Sequence, residues 1–210
     1  MTDIAVVILN WNGKGYLEKF LPFVVKHSSF RNTAVIVADN GSADDSVAFL
    51  SEHFPSVRVI TLGKNHGFAM GYHKALGEIQ AKYFVLLNSD VEVTPEWLIP
   101  LYDMMELHPQ MGACMPKILS YHQRDHFEYA GASGGYIDRF GYPFCRGRIL
   151  SQIEIDHGQY DTVSDIFWAS GACMFVRATA YEQAGGLDES FFAHMEEIDL
   201  CWRMHRTGWK

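Results

Sequence analysis

The chain has 210 residues, 48% of them hydrophobic and 20% charged, which is the composition of one globular domain with a sizeable core. Its formal net charge of −8 argues against a nucleic-acid-binding surface, so a phosphate-bearing ligand needs local help from a metal, a helix N-terminus or a few basic side chains. No apolar run is long enough to span a bilayer and no signal-peptide pattern begins the chain, so we expect a cytoplasmic protein. The four cysteines form no C-x-x-C pair, which argues against a zinc knuckle or a redox motif.

Predicted strands and helices alternate through residues 1–110. Short apolar runs bounded by polar turns predict strands at residues 4–9, 34–38, 57–62 and 83–87. Apolar residues at helical spacing predict helices at residues 16–27, 42–50, 71–80 and 94–108. The connections are short, and this alternation is the signature of an α/β domain with a mainly parallel sheet.

Particular residues mark three of these helices. Pro22 is expected to bend or shorten the first helix, because it removes a backbone hydrogen bond. Ser42 and Asp45 resemble a capping box, with Asp in place of Glu, and would begin the second helix. Thr94 as N-cap residue and Pro95 at the first helical position would begin the fourth.

Residues 111–210 follow a less regular pattern. Residues 111–119 predict a strand that is bent or lies at the edge of the sheet, because Pro116 is inside it. Residues 127–148 predict loops and short antiparallel strands, and the polar residues 154–165 predict a mobile segment. The remaining predicted elements are a second buried strand at 166–176, a short helix at 178–184 and a last helix at 196–207.

Polar side chains end three of the predicted parallel strands. Asn10 follows the first strand, Asp39 the second, and Asn88 and Asp90 the fourth. The carboxyl ends of parallel strands meet at one edge of a sheet, where open α/β sheets bind their ligands. One such residue is explained by turn chemistry, but three at one edge favour a binding site. Asp90 is a hard oxygen ligand suited to Mg²⁺ or Mn²⁺.

The loop after the first strand does not have a dinucleotide-binding pattern. Gly13 and Gly15 lack the third glycine of the G-x-G-x-x-G motif. Asp39 can accept a hydrogen bond from a ribose hydroxyl or a base N–H, or it can simply form a turn with Asn40. Trp11 can stack on a base or pack against the sheet, and packing is the favoured interpretation.

Two helix starts carry groups that suit a ligand. Glycines surround the start of the third helix at residues 65–71, where free backbone N–H groups would suit a diphosphate; the alternative is a capping loop with Asn65 as the cap. The last helix begins with Glu196, Glu197 and Asp199. The helix dipole and an Asp199–Arg203 ion pair explain these acids structurally. The apolar residues 191–193 would instead hold them at the rim of a dry pocket.

These segments, in this order, resemble the inverting family 2 glycosyltransferases of the GT-A fold, and among them the rhamnosyltransferase-like branch. The resemblance covers nearly the whole chain. It rests on residues 6–12, 37–42, 65–71, 87–90, 170–173, 185–189 and 196–200.

The resemblance implies a single domain with a Rossmann-like nucleotide-binding half at residues 1–110 and an irregular acceptor-binding and catalytic half at residues 111–210. It implies a D-x-D motif with Asn in the first position, in which Asp90 holds Mg²⁺ or Mn²⁺ on the diphosphate. Of the acidic pair, Glu197 is the expected base and Glu196 the alternative. Together with the analysis above, the expected nucleotide-sugar-binding residues are Leu9, Asn10, Trp11, Asn12, Asp39, Asn65, Gly67, Gly71, Asn88 and Ser89. The expected acceptor-binding residues are Trp168, Gly171 and Ala172.

The implied activity is transfer of a sugar, with inversion, from a dTDP- or UDP-sugar to a saccharide or lipid-linked acceptor in polysaccharide biosynthesis. It allows peripheral association with the inner face of the membrane. Two alternatives are an inactive nucleotide-sugar-binding or scaffold domain and a nucleotidyltransferase, which would need a basic loop after the first strand where only Lys14 is present. Family members continue beyond the point where this chain stops at Lys210, so the resemblance also predicts a truncated domain.

Overall fold

The computed structural model, which describes residues 2–210, confirms the alternation of strands and helices in the first half of the chain. The strands are β1 (Thr2–Asn10), β2 (Thr33–Asp39), β3 (Arg58–Thr61) and β4 (Ala81–Leu87). The helices are α1 (Lys14–His27), α2 (Ser46–His53), α3 (Phe68–Gly77) and α4 (Leu98–Leu107). The four strands pair in parallel in the order β3-β2-β1-β4, as the short connections predicted.

The second half of the chain extends this sheet and adds a smaller one. Its elements are β5 (Ala113–Cys114), β6 (Gly135–Ile137), β7 (Pro143–Cys145), β8 (Arg148–Ile149), β9 (Gln152–Ile153), β10 (Cys173–Arg177), α5 (Ala178–Gln183) and α6 (Glu196–Arg206). β10 lies antiparallel to β4, and β5 forms the far edge. β6 to β9 form a separate four-stranded antiparallel sheet, which we call the small sheet. Among residues 2–210, none of the helices is both long and apolar enough to cross a bilayer.

The central sheet is buried on both faces. Side chains alternate along β1, so that Ile4, Val6 and Ile8 pack on one face with residues of α1 and α4. Ala5 and Val7 pack on the other face with residues of α3, α5 and α6. The unbroken apolar runs of β1 and β4 follow from this double burial, since neither face of either strand is left to water.

The first helix ends at His27 as predicted, and of the features expected at particular residues the shortening at Pro22 is not observed and the cap at Ser42 is wrong. α1 is not shortened at Pro22, which lies on the exposed side of the helix, so the carbonyl that loses its partner there is open to water. Ser42 does not cap α2, which begins at Ser46 after Asp45 without any capping side-chain bond. The Ser42 hydroxyl instead accepts hydrogen bonds from Asn10 at the end of β1 and from the N–H of Asn12 in the loop after it.

The start of α4 is also later than predicted. A turn at Pro95, Glu96 and Trp97 follows Thr94, and the helix begins only at Leu98. Glu96 has a φ angle of 61°, in the left-handed region, and this residue separates Pro95 from the helix. The Thr-Pro pair therefore forms a turn and not a helix start.

The strands of the second half are shorter than the sequence indicates. Residues 111–119 contribute only β5, which is an edge strand as Pro116 required. The predicted strand at 166–176 begins only at Cys173, because Trp168 pairs with Gly135 of the small sheet before the chain reaches β4. Residues 154–165 are tied to the body by salt bridges from Lys117 to Asp156 and Asp161, both 2.5 Å.

Candidate functional site

The polar ends of β1 and β2 form one hydrogen-bonded group. Asn10 lies opposite Asp39 in the parallel register, and its side-chain amide donates to Asp39 Oδ1 at 3.3 Å and to Ser42 Oγ at 3.1 Å. The backbone N–H of Ser42 donates to Asp39 Oδ2 at 3.0 Å, so both carboxylate oxygens are held. Asn10 and Asp39 are buried, and the predicted convergence of these strand ends is confirmed.

Asn12 connects this group to the loop that precedes α2. Its backbone N–H donates to Ser42 Oγ at 2.9 Å, and its Oδ1 accepts the N–H of Ala43 at 2.7 Å. Asn12 has a φ angle of 52°, a conformation that Asn tolerates better than most residues. Its role in the structure is therefore to shape the loop around Ser42. Sequence analysis missed Ser42 because its local pattern matched a helix cap.

Trp11 does not pack against the sheet, which was the favoured interpretation of its sequence position. Its side chain is 56% exposed, so it does not pack against the sheet. An exposed indole directly after Asn10 is free to stack on a planar ligand, which was the alternative interpretation.

The loop before α3 is closed by internal hydrogen bonds and not left open. Asn40 is buried and donates to Asn65 Oδ1 at 3.1 Å and to the Gly67 carbonyl at 3.0 Å. Its own Oδ1 accepts the N–H of His66 at 3.0 Å, and Asn65 Oδ1 accepts the N–H of Gly67 at 2.8 Å. The N–H groups of residues 66 and 67, which were expected to be free for a diphosphate, are thus used within the protein. Donor contact by Asn65 and Gly67 stays a prediction.

α3 also connects the strand ends to the segment before α6. The N–H of Phe68 donates to the Phe192 carbonyl at 2.7 Å, and a Cβ on Gly67 would lie 2.6 Å from that carbonyl. Gly71 is buried, and a Cβ there would lie 2.9 Å from Leu9, so a glycine is needed here for packing; donor contact by Gly71 stays a prediction. The buried Tyr72 hydroxyl, which sequence analysis missed, accepts the N–H of Leu9 at 3.4 Å.

The end of β4 opens onto a cleft of about 680 Å³. Asn88 and Asp90 line it, and Asp90 is exposed. The N–H of Asn88 donates to the Ala172 carbonyl at 3.0 Å, which brings the turn before β10 to this edge. Ser89 is half-buried beside Gly13.

The three predicted acceptor-binding residues are separated by the structure. Ala172 lines the cleft. Trp168 does not, because its ring is buried against Gly135 and its indole N–H donates to the Tyr136 carbonyl at 2.9 Å. Gly171 is also buried, where an added Cβ would lie 3.4 Å from the ring of Phe68. Trp168 and Gly171 therefore hold the framework behind the cleft.

Glu196 and Glu197, at the start of α6, each have one carboxyl oxygen without a hydrogen-bond partner among the described residues. Glu196 is only 4% exposed and Glu197 is half-buried, and the Oε2 atom of each is buried and unpaired among the described residues. Burial raises the pKa of Glu196; burial, and next the charge of Glu196, raise the pKa of Glu197. His194 and Met195 both have φ angles of 72°, so the backbone entering this helix is strained.

The acidic side chain at the end of β4 can hold a metal ion only together with a bound phosphate-bearing molecule. Within residues 2–210, no three His, Cys, Asp or Glu side chains cluster closely enough to hold an ion by themselves. Asp90 is an exposed hard oxygen ligand at the end of β4. Mg²⁺ is commonly bound through one or two carboxylates together with substrate phosphates and water. Asp90 therefore fits an ion that a diphosphate shares.

Comparisons with known proteins agree on one group. The model for glycosyl transferase family 2 matches residues 5–182. The N-acetylglucosaminyl-diphospho-decaprenol L-rhamnosyltransferase of Mycobacterium tuberculosis (strain ATCC 25618 / H37Rv) is 28% identical, over 100% of this chain and 73% of that protein. Rhamnosyltransferase WbbL of Escherichia coli (strain K12) is 22% identical, over 98% of this chain and 78% of that protein.

A solved structure has the same arrangement of strands and helices. It is the mannosyltransferase PcManGT from Pyrobaculum calidifontis in complex with GDP-Man and Mn²⁺, with a TM-score of 0.65 and 14% identity. The match covers 99% of this chain and 53% of that chain, so the present chain spans about half its length.

Proposed function

Because the chain belongs to glycosyl transferase family 2 and has the predicted GT-A fold, we propose that it transfers a sugar from a nucleotide sugar to an acceptor hydroxyl with inversion. The proposal includes rhamnose as the sugar and a lipid-linked saccharide as the acceptor, supported by the names of the two rhamnosyltransferases. Family membership favours an enzyme over the inactive scaffold that the sequence alone left open.

One observation carries the proposal. Two carboxyls begin α6, one buried and one half-buried, and each has one buried oxygen without a hydrogen-bond partner among the described residues. The Phe192 carbonyl joins the segment before them to the same loop that Asn40 fastens to the end of β2. A buried unpaired acceptor is costly, and such groups are retained where a ligand supplies the missing partner. An acceptor hydroxyl is a donor of the right chemistry for such a carboxylate.

The nucleoside would lie at the ends of β1 and β2. Asp39 is held from both sides by Asn10 and Ser42, yet a carboxylate has about four lone-pair sites, so it retains capacity for a donor N–H or O–H of the nucleoside. Trp11 is exposed next to it and offers an aromatic face to a base. Leu9 and Asn12 shape the walls of this position.

The proton would leave the acceptor on Glu197. The acceptor oxygen attacks the anomeric carbon as the bond from that carbon to the diphosphate oxygen breaks, and the proton of the hydroxyl passes to a Glu197 carboxylate oxygen. Glu197 is favoured over Glu196 because it is half-buried, whereas Glu196 is almost fully enclosed. Its raised pKa makes the ionised carboxylate a stronger base than an exposed one.

Asp90 would hold a divalent ion together with the diphosphate. Such an ion would neutralise charge that develops on the leaving group. Asn88, in the first position of the motif, is a neutral side chain that also lines the cleft.

The test of this proposal is calorimetric titration of dTDP and UDP, with and without Mn²⁺, followed by turnover of the corresponding nucleotide sugars. We expect nucleotide binding that Mn²⁺ strengthens, and Asp90→Asn should remove the Mn²⁺ contribution while leaving metal-free binding and thermal stability unchanged. Asp103→Asn, at an exposed acidic residue of α4, is the matched control. Binding that is equally metal-dependent in Asp90→Asn would contradict the assignment of Asp90.

A further inference from the structure

The outward face of the small sheet carries apolar side chains that are exposed within the described residues. The register pairs Tyr136 with Phe144, and the pairing of Cys145 with Arg148 places Phe144 and Ile149 on the same side. The two rings stack at 5.6 Å between centroids, and Ile149 is 71% exposed. This face therefore presents apolar side chains to solvent across three strands.

Both hairpin turns at one end of the small sheet continue this surface. The strands run antiparallel in chain order, so the β6–β7 turn and the β8–β9 turn lie at the same end. The first turn carries Phe140, 69% exposed, and Tyr142; the second carries Leu150, 86% exposed. The opposite end is anchored to the body through the pairing of Gly135 with Trp168. We call the exposed set Phe140, Tyr142, Phe144, Ile149 and Leu150 the apolar tip.

The charge of this segment is opposite to that of the molecule. Residues 135–153 contain three arginines and one aspartate, whereas the whole chain has a net charge of −8. Within the described part of the chain, Arg139, Arg146 and Arg148 form no salt bridge. The Arg139 guanidinium lies 4.5 Å from the Phe140 ring centroid, so a cation and an exposed aromatic ring share one turn.

We propose that the apolar tip docks on an anionic lipid bilayer, with its side chains in the interfacial region and the Arg139 guanidinium of the first turn on lipid phosphates. Exposed aromatic and aliphatic side chains beside arginine are the combination that binds this interface. The net positive segment supplies charge complementarity that the rest of the acidic chain cannot.

The cleft that Asp90 lines extends to the inward side of the small sheet. Ile153 of β9 and Tyr129 line the same cleft as Asp90, and the Arg148 guanidinium lies 4.0 Å from the Tyr129 ring centroid. With the tip docked, the small sheet would bring the cleft near the bilayer, where a lipid-linked acceptor is held. This part rests on the proposed function, whereas docking itself does not.

The experiment is flotation of the protein with two kinds of vesicle, one of phosphatidylcholine alone and one in which about a third of the lipid is the anionic phosphatidylglycerol. We expect binding to the anionic vesicles, and Phe140→Ser combined with Leu150→Ser should lower the partition coefficient about ten-fold. Arg139→Gln should lower it about five-fold. Leu107→Ser, at a side chain 73% exposed on α4, and Arg206→Gln, at an exposed arginine of α6, are matched controls that should bind as the parent does.

Three outcomes would overturn the proposal: no binding to anionic vesicles, equal binding of the tip variants and the parent, or a concentration-dependent dimer that the tip variants abolish in the absence of vesicle binding. Vesicle binding is measured without nucleotide, and nucleotide affinity is measured without vesicles. Loss of nucleotide binding would therefore contradict the proposed function and leave docking intact, and the converse result would contradict docking alone.

Discussion

The carboxylate at the end of β2 and the pair of carboxyls at the start of α6 differ in how their oxygens are hydrogen-bonded. Asp39, at the end of β2, is buried with both oxygens hydrogen-bonded to Asn10 and Ser42. Glu196 and Glu197, at the start of α6, each keep a buried oxygen without a hydrogen-bond partner in the described chain. The first carboxylate has an N–H donor on each oxygen, whereas burial raises the pKa of both members of the second pair.

The difference separates binding from chemistry. A group that only has to recognise a nucleoside gains from being held rigidly, because the ligand then meets a preorganised surface. A group that must take a proton gains from an environment that raises its pKa toward the working pH. Buried, unpaired oxygens are unfavourable for the fold, and this cost is typical of functional positions.

The largest expected effect is on the chemical step. Glu197→Gln should lower the single-turnover rate at saturating donor by about 10²–10⁴, because it removes the general base while keeping the side-chain shape. Nucleotide affinity should be unchanged. Glu197→Asp keeps a carboxylate and should retain a measurable part of the rate. In the parent enzyme kcat/KM should fall at acid pH along a limb that lies above the ordinary glutamate range, because the pKa of Glu197 is raised.

The matched control is Glu196→Gln at the neighbouring, more enclosed carboxyl. We expect it to weaken acceptor affinity more than it slows the chemical step, so KM for the acceptor should rise while the single-turnover rate at saturating acceptor is nearly kept. If Glu196→Gln abolished the rate and Glu197→Gln did not, the roles would be exchanged. If neither variant changed the rate, the acids would serve only the helix dipole.

Sequence analysis could predict the position of this site but not its internal bonding. The strand ends at Asn10 and Asp39 were predictable because an abrupt change from apolar to polar residues is a local signal. The roles of Ser42 and Asn40 were not, because each has a satisfactory local explanation, a helix cap and a turn, that tertiary hydrogen bonds replace. The exposure of Trp11 likewise depends on the path of the chain after β1.

The small sheet shows the same limit. Its strands are two or three residues long, and so short a segment carries no clear period. The pairing of Gly135 with Trp168, which anchors the sheet, joins residues far apart in the chain. Only the presence of short antiparallel strands at residues 127–148 was predictable, from the abundance of glycine and aromatic residues.

An intermediate effect is expected on nucleotide affinity. Asp39→Ala should weaken nucleotide binding by about 1–3 kcal/mol even without metal, because a hydrogen bond to the nucleoside is lost and Asn10 loses an acceptor. Calorimetric titration measures it. Asp44→Ala is the control. Asp44 is an exposed acid in the loop after β2, and its carboxylate accepts the backbone N–H groups of Lys14 and Ser46. Equal affinity of Asp39→Ala and the parent would mean that Asp39 is a turn residue alone.

The smallest expected effect is on stability, and it has the opposite sign from the loss of activity. Glu196→Gln should raise the free energy of unfolding by about 1 kcal/mol at pH 7, because it removes a buried ionisable carboxyl that has no partner for one oxygen. For a chain of this length that is a rise of about 2–4 °C in Tm by calorimetry.

The ordinary pKa of a glutamate is 4.5, and burial raises the pKa of Glu196 above it in the folded state. The unfolded chain therefore loses this proton first as pH rises, and the penalty on folding grows until the folded pKa is passed. Below about pH 4.5 both states are protonated, so the difference between Glu196→Gln and the parent should vanish there. Glu189→Gln, at an exposed glutamate in the preceding turn, should change Tm at neither pH. A stability gain that persisted unchanged at pH 4 would show that ionisation of Glu196 is not its cause.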